Sequence, residues 1–166
     1  MPSPSEPVEA FIEVARSYCE LIEHVETLPR ATVLDDLAVL LPRLLELVVR
    51  LPAVEPSDDV EADEVSYGEW RKRYVALNEI LAGVGDYWTA AEVRGDQQPE
   101  VVNLPLADDL ADIWHDLRAG LSLVGGPPTV DNAVWEWRFH FEIHWGRHAV
   151  EALRAVHAAR SDSPRT

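Results

Sequence analysis

Apolar residues along this chain recur at steps of three and four, and no segment alternates apolar with polar between turn pairs. That period marks helices with one buried face, so the chain is constrained to helix-on-helix packing. Val8, Phe11, Ile12, Ala15, Cys19, Ile22 and Val25 outline a first helix over residues 4–27. Ser3 and Glu6 stand there at capping-box spacing, with Pro4 at the favoured first position. Leu34, Leu37, Leu40, Leu41, Leu44, Leu45, Val48 and Leu51 outline a second over residues 32–51, with Thr32 and Asp35 at N-cap and N3. Pro42 lies inside it and predicts a kink or a break into two short helices. Ser66 and Glu69 form a capping box that opens a third helix ending near Gly83. A fourth covers residues 104–123, with Asn103 as N-cap and Gly125-Gly126-Pro127-Pro128 as its stop. A fifth covers residues 131–159. Tyr87, Trp88 and the segment up to Pro99 read as an irregular connection. The expected fold is all-α: one bundle of about five helices over residues 1–160, mainly antiparallel, with the C-terminal helix central. Residues 161–166 read as a disordered polar tail.

A chain of 166 residues is one ordinary domain, large enough for a real core. Acids number 30 against 14 Lys and Arg, for a formal charge of −16. Such a surface repels phosphate backbones and anionic lipid, which disfavours nucleic acid and membranes as partners. The single cysteine, Cys19, excludes an internal disulfide and any multi-cysteine zinc site. The opening residues lack the basic and apolar regions of a secretory signal, and residues 33–51, the greasiest stretch, are interrupted by charges and a proline. A cytoplasmic protein, monomer or homodimer, is expected. The acids of residues 52–65 lack the ordered spacing and turn glycine of a calcium loop.

The fifth helix is the unusual one. On a wheel, Trp135, Phe139, Trp145, Ala149, Val150, Leu153 and Val156 cover more than half its circumference, as in a central helix. Arg138 and Glu142 project within that arc, four residues apart. They read either as a structural ion pair or as the floor of a polar pocket. If the pair is buried, Glu142→Ala should destabilise by about 3–5 kcal/mol.

His140, His144 and His148 also step by four, and two histidines at that spacing can share a metal if a further ligand arrives from elsewhere. Asp109, Asp112 and Asp116 share one side of the fourth helix and are candidate partners, as is His115. Two site hypotheses follow. In one, Asp109, Asp112, Asp116 and His144 hold magnesium or manganese for hydrolysis of a small phosphorylated or nucleotide-like compound, with His144 or His148 orienting water. In the other, no chemistry is performed and no cofactor is needed. A pocket between the fourth and fifth helices, built from Trp114, Trp135, Trp145, Arg138, Glu142 and His148, takes a small anionic ligand, or the acidic surface meets a protein partner.

Three resemblances bear on these alternatives. The run Asp108-Asp109-Leu110-Ala111-Asp112 is similar to half of the acidic motif of the all-α nucleotide pyrophosphohydrolases, where carboxylates on two helices hold magnesium. Arg138 and His144 are loosely similar to the Arg…His pair of the helical HEPN ribonucleases, which the net charge argues against. The third spans about residues 8–157. Leu40-Leu41-Pro42-Arg43-Leu44, then Ala107-Asp108-Asp109-Leu110-Ala111-Asp112-Ile113, then the Trp-rich run from Trp135 through Trp137, Arg138, Glu142, His144, Trp145 and His148 resemble the domain of unknown function 5063 family. That resemblance implies a mostly helical bundle and brings no activity.

Overall fold

In the computed structural model, residues 6–57, 60–90, 98–125 and 129–162 are described. The chain is one mostly helical domain. Helix α1 (Glu6–Glu23) carries Glu6 and Glu9 in its first turn, where the helix dipole favours acids. It buries Phe11, Ala15, Tyr18 and Ile22, and is followed by one tight 3₁₀ turn, Val25–Thr27. The expected cap at Ser3 and Pro4 lies outside the described residues.

Helix α2 (Arg30–Val48) starts earlier than its sequence signals suggest. Pro29, held extended, occupies the N-cap position, and Thr32 lies inside the helix. Pro42 does not break it: one helix runs through. The stripe from Val33 to Val48 is clamped between α1 and α6, and that packing outweighs the hydrogen bond a proline removes. Helix α3 (Tyr67–Ile80) opens on the expected capping box: Glu69 N–H donates to Ser66 Oγ, and Ser66 N–H to Glu69 Oε2.

The connection after α3 corrects the sequence reading. Strands β1 (Asp86–Ala90) and β2 (Val101–Pro105) pair antiparallel, Asp86 against Pro105 and Ala90 against Val101. Tyr87, Trp88, Thr89, Val101 and Val102 are good strand formers, but five-residue strands joined by a long connection give no hairpin turn signal. Asn103 therefore lies in β2, not at a cap. Helix α4 (Leu106–Ser122) begins after Pro105, its first N–H donating to Gly85 O at 2.7 Å.

Helix α4 packs against α1, α3, α5 and α6, and is buried on most sides. The last helical rod has three parts: α5 (Thr129–His140), a π turn (Phe141–Trp145) and α6 (Gly146–Asp162), which packs between α2 and α4. Ser161 is thus helical, while residues 163–166 lie outside the described set. Gly146 N–H donates to Phe141 O, five residues back, closing the wide turn. A side chain at Gly146 would put Cβ 2.3 Å from that same oxygen, so glycine is required by the close approach.

The π turn explains why the wheel misplaced residues. It absorbs one extra residue and rotates the rest of the rod by about 100° against an uninterrupted α-helix. Trp137 and Trp145, eight apart, are thereby both fully buried, the Trp145 indole N–H donating to Trp137 O at 3.0 Å. The Trp137 ring packs on Phe11 and fills space left by Gly120, where a Cβ would lie 2.1 Å from the indole nitrogen. Phe139 and Val150, expected inside, are exposed, and Trp135 is half-buried against Phe139. Among the described residues no ion pair joins Arg138 to Glu142. The Arg138 guanidinium donates to the carbonyl of Leu51, just past the end of α2, and Glu142 is exposed. Among the described residues, no helix is long and apolar enough to cross a membrane.

Candidate metal centre

Asp109, Asp112 and Asp116 fall at i, i+3 and i+7 of α4 and so share one face. That face is turned inward: Asp109 is 3% exposed and Asp116 4%. A carboxylate so placed is strongly disfavoured unless hydrogen bonds replace its water. The replacements come from α3, β1, the π turn and α6, and from His115 on α4 itself. His148 Nδ1 lies 2.7 Å from Asp109 Oδ1, and the Tyr87 hydroxyl on β1 donates to Asp109 Oδ2. His144 Nδ1 lies 2.7 Å from Asp116 Oδ2, and His115 Nδ1 lies 3.0 Å from Asp116 Oδ1. The Trp70 indole on α3 donates to Asp112 Oδ1 at 2.8 Å.

These bonds fix the imidazoles. A carboxylate accepts from each ring, so each Nδ1 carries a proton and each Nε2 points the other way. Both Nε2 atoms face one oxygen, Asp112 Oδ2, at 3.8 Å from His144 and 3.4 Å from His148. One donor atom from each of these three residues lies within 4.8 Å of the others. Two Nε2 atoms facing one carboxylate oxygen call for positive charge among them, as a proton on a ring or as a metal ion. Donors held at ~2.1 Å from a tetrahedral ion would be about 3.4 Å apart, close to the spacing here. Asp112, His144 and His148 are therefore suited to hold a metal, and Asp109 and Asp116 are suited to orient the imidazoles behind it.

In the metal-free protein the carboxylates favour positive charge on the imidazoles. The hydrogen bond to Asp116 holds His144 above its ordinary value, against the opposing effect of burial, with the charges of Asp116 and Asp112 adding to it. His115 is raised in the same way by Asp116. Burial pushes the Asp116 carboxyl up, but the hydrogen bonds from His115 and His144 outweigh it and hold it below the usual range. Burial, then the bond to Asp109, keeps the Tyr87 phenol protonated as a donor.

Six residues singled out in the sequence thus meet: Asp109, Asp112, His115, Asp116, His144 and His148. Their roles differ from expectation. His148 joins His144 in facing Asp112 rather than lining an anion pocket, while Asp109 and Asp116 hydrogen-bond the imidazoles. Trp70 and Tyr87 complete the centre from 42 and 22 residues upstream of their carboxylate partners, and no local pattern announces them. The residues expected to wall a pocket between the fourth and fifth helices do not meet. Trp114 is buried, donating to Glu23 Oε1 at 3.0 Å beneath the Arg73 guanidinium, and Trp145 is in the core. Trp135, Arg138 and Glu142 instead line a separate cleft of about 400 Å³ with Val48, Val49 and Phe139.

Comparison with known proteins supplies a family. The profile described as "Domain of unknown function (DUF5063)" matches residues 2–162, nearly the whole chain, and the chain belongs to that family. The crystal structure of protein BF1032 from Bacteroides fragilis is similar in fold. It is 24% identical, with a TM-score of 0.83 over 98% of this chain and 97% of that one. No curated protein shows significant similarity to the chain.

Proposed function

We propose that this DUF5063-family chain is a metalloprotein that hydrolyses a small molecule, its ion held by His144 Nε2, His148 Nε2 and Asp112 Oδ2. The observation that carries the reading is the convergence of two imidazole nitrogens, each backed by a buried carboxylate, on a third carboxylate oxygen. Two imidazoles favour zinc, iron or manganese over magnesium, which prefers oxygen donors and keeps its water. When bound, such an ion supplies Lewis acidity and lowers the pKa of a water in its open position. His115, oriented by Asp116, shares a cleft with Asp112 and His144 and is placed to take up the released proton. Buried Asp109, with its two donors, keeps His148 from turning.

The test is thermal denaturation of EDTA-stripped protein with zinc, manganese and magnesium in turn. An ion at a hundredfold excess over its Kd adds about 2.7 kcal/mol, a rise of several degrees for a domain of this size. Zinc or manganese should give that rise and magnesium should not. The rise should vanish in His148→Ala and in Asp112→Asn. An unchanged melting curve with all three ions overturns the reading.

A second reading rests on a separate observation. The Trp135–Phe139 stack, with ring centroids 4.9 Å apart, borders the cleft at Arg138, and Phe139 and Val49 are exposed. That surface supports a binding protein for a small anionic ligand or a protein partner. Loss of ligand or partner binding in Arg138→Met, with zinc stabilisation unchanged, would favour it over the hydrolase.

A further inference from the structure

We infer that the centre takes a small molecule consisting of an aromatic ring and a single metal-binding oxygen group, the ring lying on Tyr67. The inference rests on the metal reading above and adds the class of ligand. The cleft beside the donors has a volume of about 370 Å³ and is lined by Val65, Tyr67, Trp70, Asp112, His115 and His144. That volume is at the small end of ligand sites, enough for one or two fused rings.

Its two sides differ in chemistry. On one side are two of the metal donors, Asp112 and His144. On the other is a column of rings: Tyr67 stacks on Trp70 (5.8 Å, 17°) and Trp70 on Tyr74 (5.4 Å, 10°). Tyr67 lines the cleft and is 69% exposed, so it is open to contact by a ligand ring. The column is held in register with the donors by one carboxylate. Asp112 Oδ1 accepts the Trp70 indole N–H, while Oδ2 faces the two imidazoles. A ring stacked here needs little rearrangement of the protein, which favours binding.

The lining also limits the polar end of the ligand. Among the described residues that form the cleft there is no lysine or arginine, and Asp112 faces into the donor set. A polyphosphate would find no cation there beyond the ion itself and the two histidines. One oxygen group on the ion, with His115 beside it, matches what the cleft offers.

The experiment uses EDTA-stripped protein reloaded with zinc, titrated calorimetrically with acetohydroxamate and with benzohydroxamate. The two probes share the metal-binding group and differ by the ring. Benzohydroxamate should bind about tenfold more tightly. In Tyr67→Ala that preference should shrink to near equality with acetohydroxamate affinity unchanged, and in Tyr67→Phe it should persist. Equal affinity of the two probes, no binding of either, or a ring preference that survives in Tyr67→Ala overturns the inference while leaving the metal reading standing. Failure of zinc itself to bind overturns both, and is seen first, in the reloading step.

Discussion

The segments on either side of His140 in the last helical rod meet the same problem and solve it differently. Arg138 on α5 and His144 and His148 beyond it all project polar groups toward packed surface. Arg138 finds a backbone carbonyl at the end of α2, a helix terminus where cations are favoured. Its partner in the sequence reading, Glu142, stays in water. That bond satisfies the guanidinium within the fold on one side. The histidines find carboxylates with one nitrogen each, and that bond leaves the other nitrogen aimed at a third carboxylate oxygen. The second arrangement is complete only with positive charge in its middle, as a proton or as a metal ion. A satisfied polar group in a core is evidence of architecture, whereas an arrangement of converging acceptors is evidence of a ligand.

The contrast can be broken most forcefully at Asp109. Asp109→Ala leaves the Tyr87 hydroxyl and the His148 ring nitrogen unpaired in the interior, and should cost about 3–5 kcal/mol in urea unfolding. A loss below about 1 kcal/mol would mean that this carboxylate is not part of a buried network. Gly146→Ala comes next. It crowds the Phe141 carbonyl and should cost about 1–3 kcal/mol by calorimetry. It should also weaken zinc binding, because the π turn sets the angle between His144 and His148; unchanged affinity would uncouple the turn from the centre.

A pH series sharpens the comparison without a mutation. His144 has a folded-state pKa raised above its ordinary 6.5. Its charged pairing with Asp116 therefore stabilises the metal-free protein fully below about pH 6.5 and is lost as pH rises through the raised value. Zinc requires the unprotonated ring, so the stabilisation that zinc adds should grow over the same interval. Metal-free stability that is flat across that range would argue against the pairing. The smallest effect is expected at Glu142, in the same π turn as His144 but exposed. Glu142→Ala should change stability by no more than about 0.5 kcal/mol. A cost of about 3–5 kcal/mol would restore the buried ion pair that the helical wheel implied.

Much of this was written in the spacing of residues. The three-and-four period located α1, α2, α4 and the last rod, and Ser66 with Glu69 marked the start of α3 to the residue. The steps from Asp109 to Asp116 and from His144 to His148 put the right side chains on the right faces. What stayed hidden was non-local or a matter of phase. The hairpin pairs residues across a gap that no turn dipeptide marks. The π turn shifts a register that a uniform wheel takes as constant, which put Phe139 and Val150 inside and left Trp137 out. The exchange of roles between Asp112 and its neighbours depends on which ring nitrogen faces which oxygen, and only the packing of α6 on α4 determines that.

Asp112 has an optical consequence. One of its oxygens holds an indole and the other faces the imidazoles, so any change in charge at the centre is felt by a chromophore one carboxylate away. A cation drawing on Oδ2 weakens Oδ1 as an acceptor, and the Trp70 excited state, whose dipole depends on that bond, must shift its emission. The expected outcome is a change in emission on adding zinc to the stripped protein that is absent from Trp70→Phe.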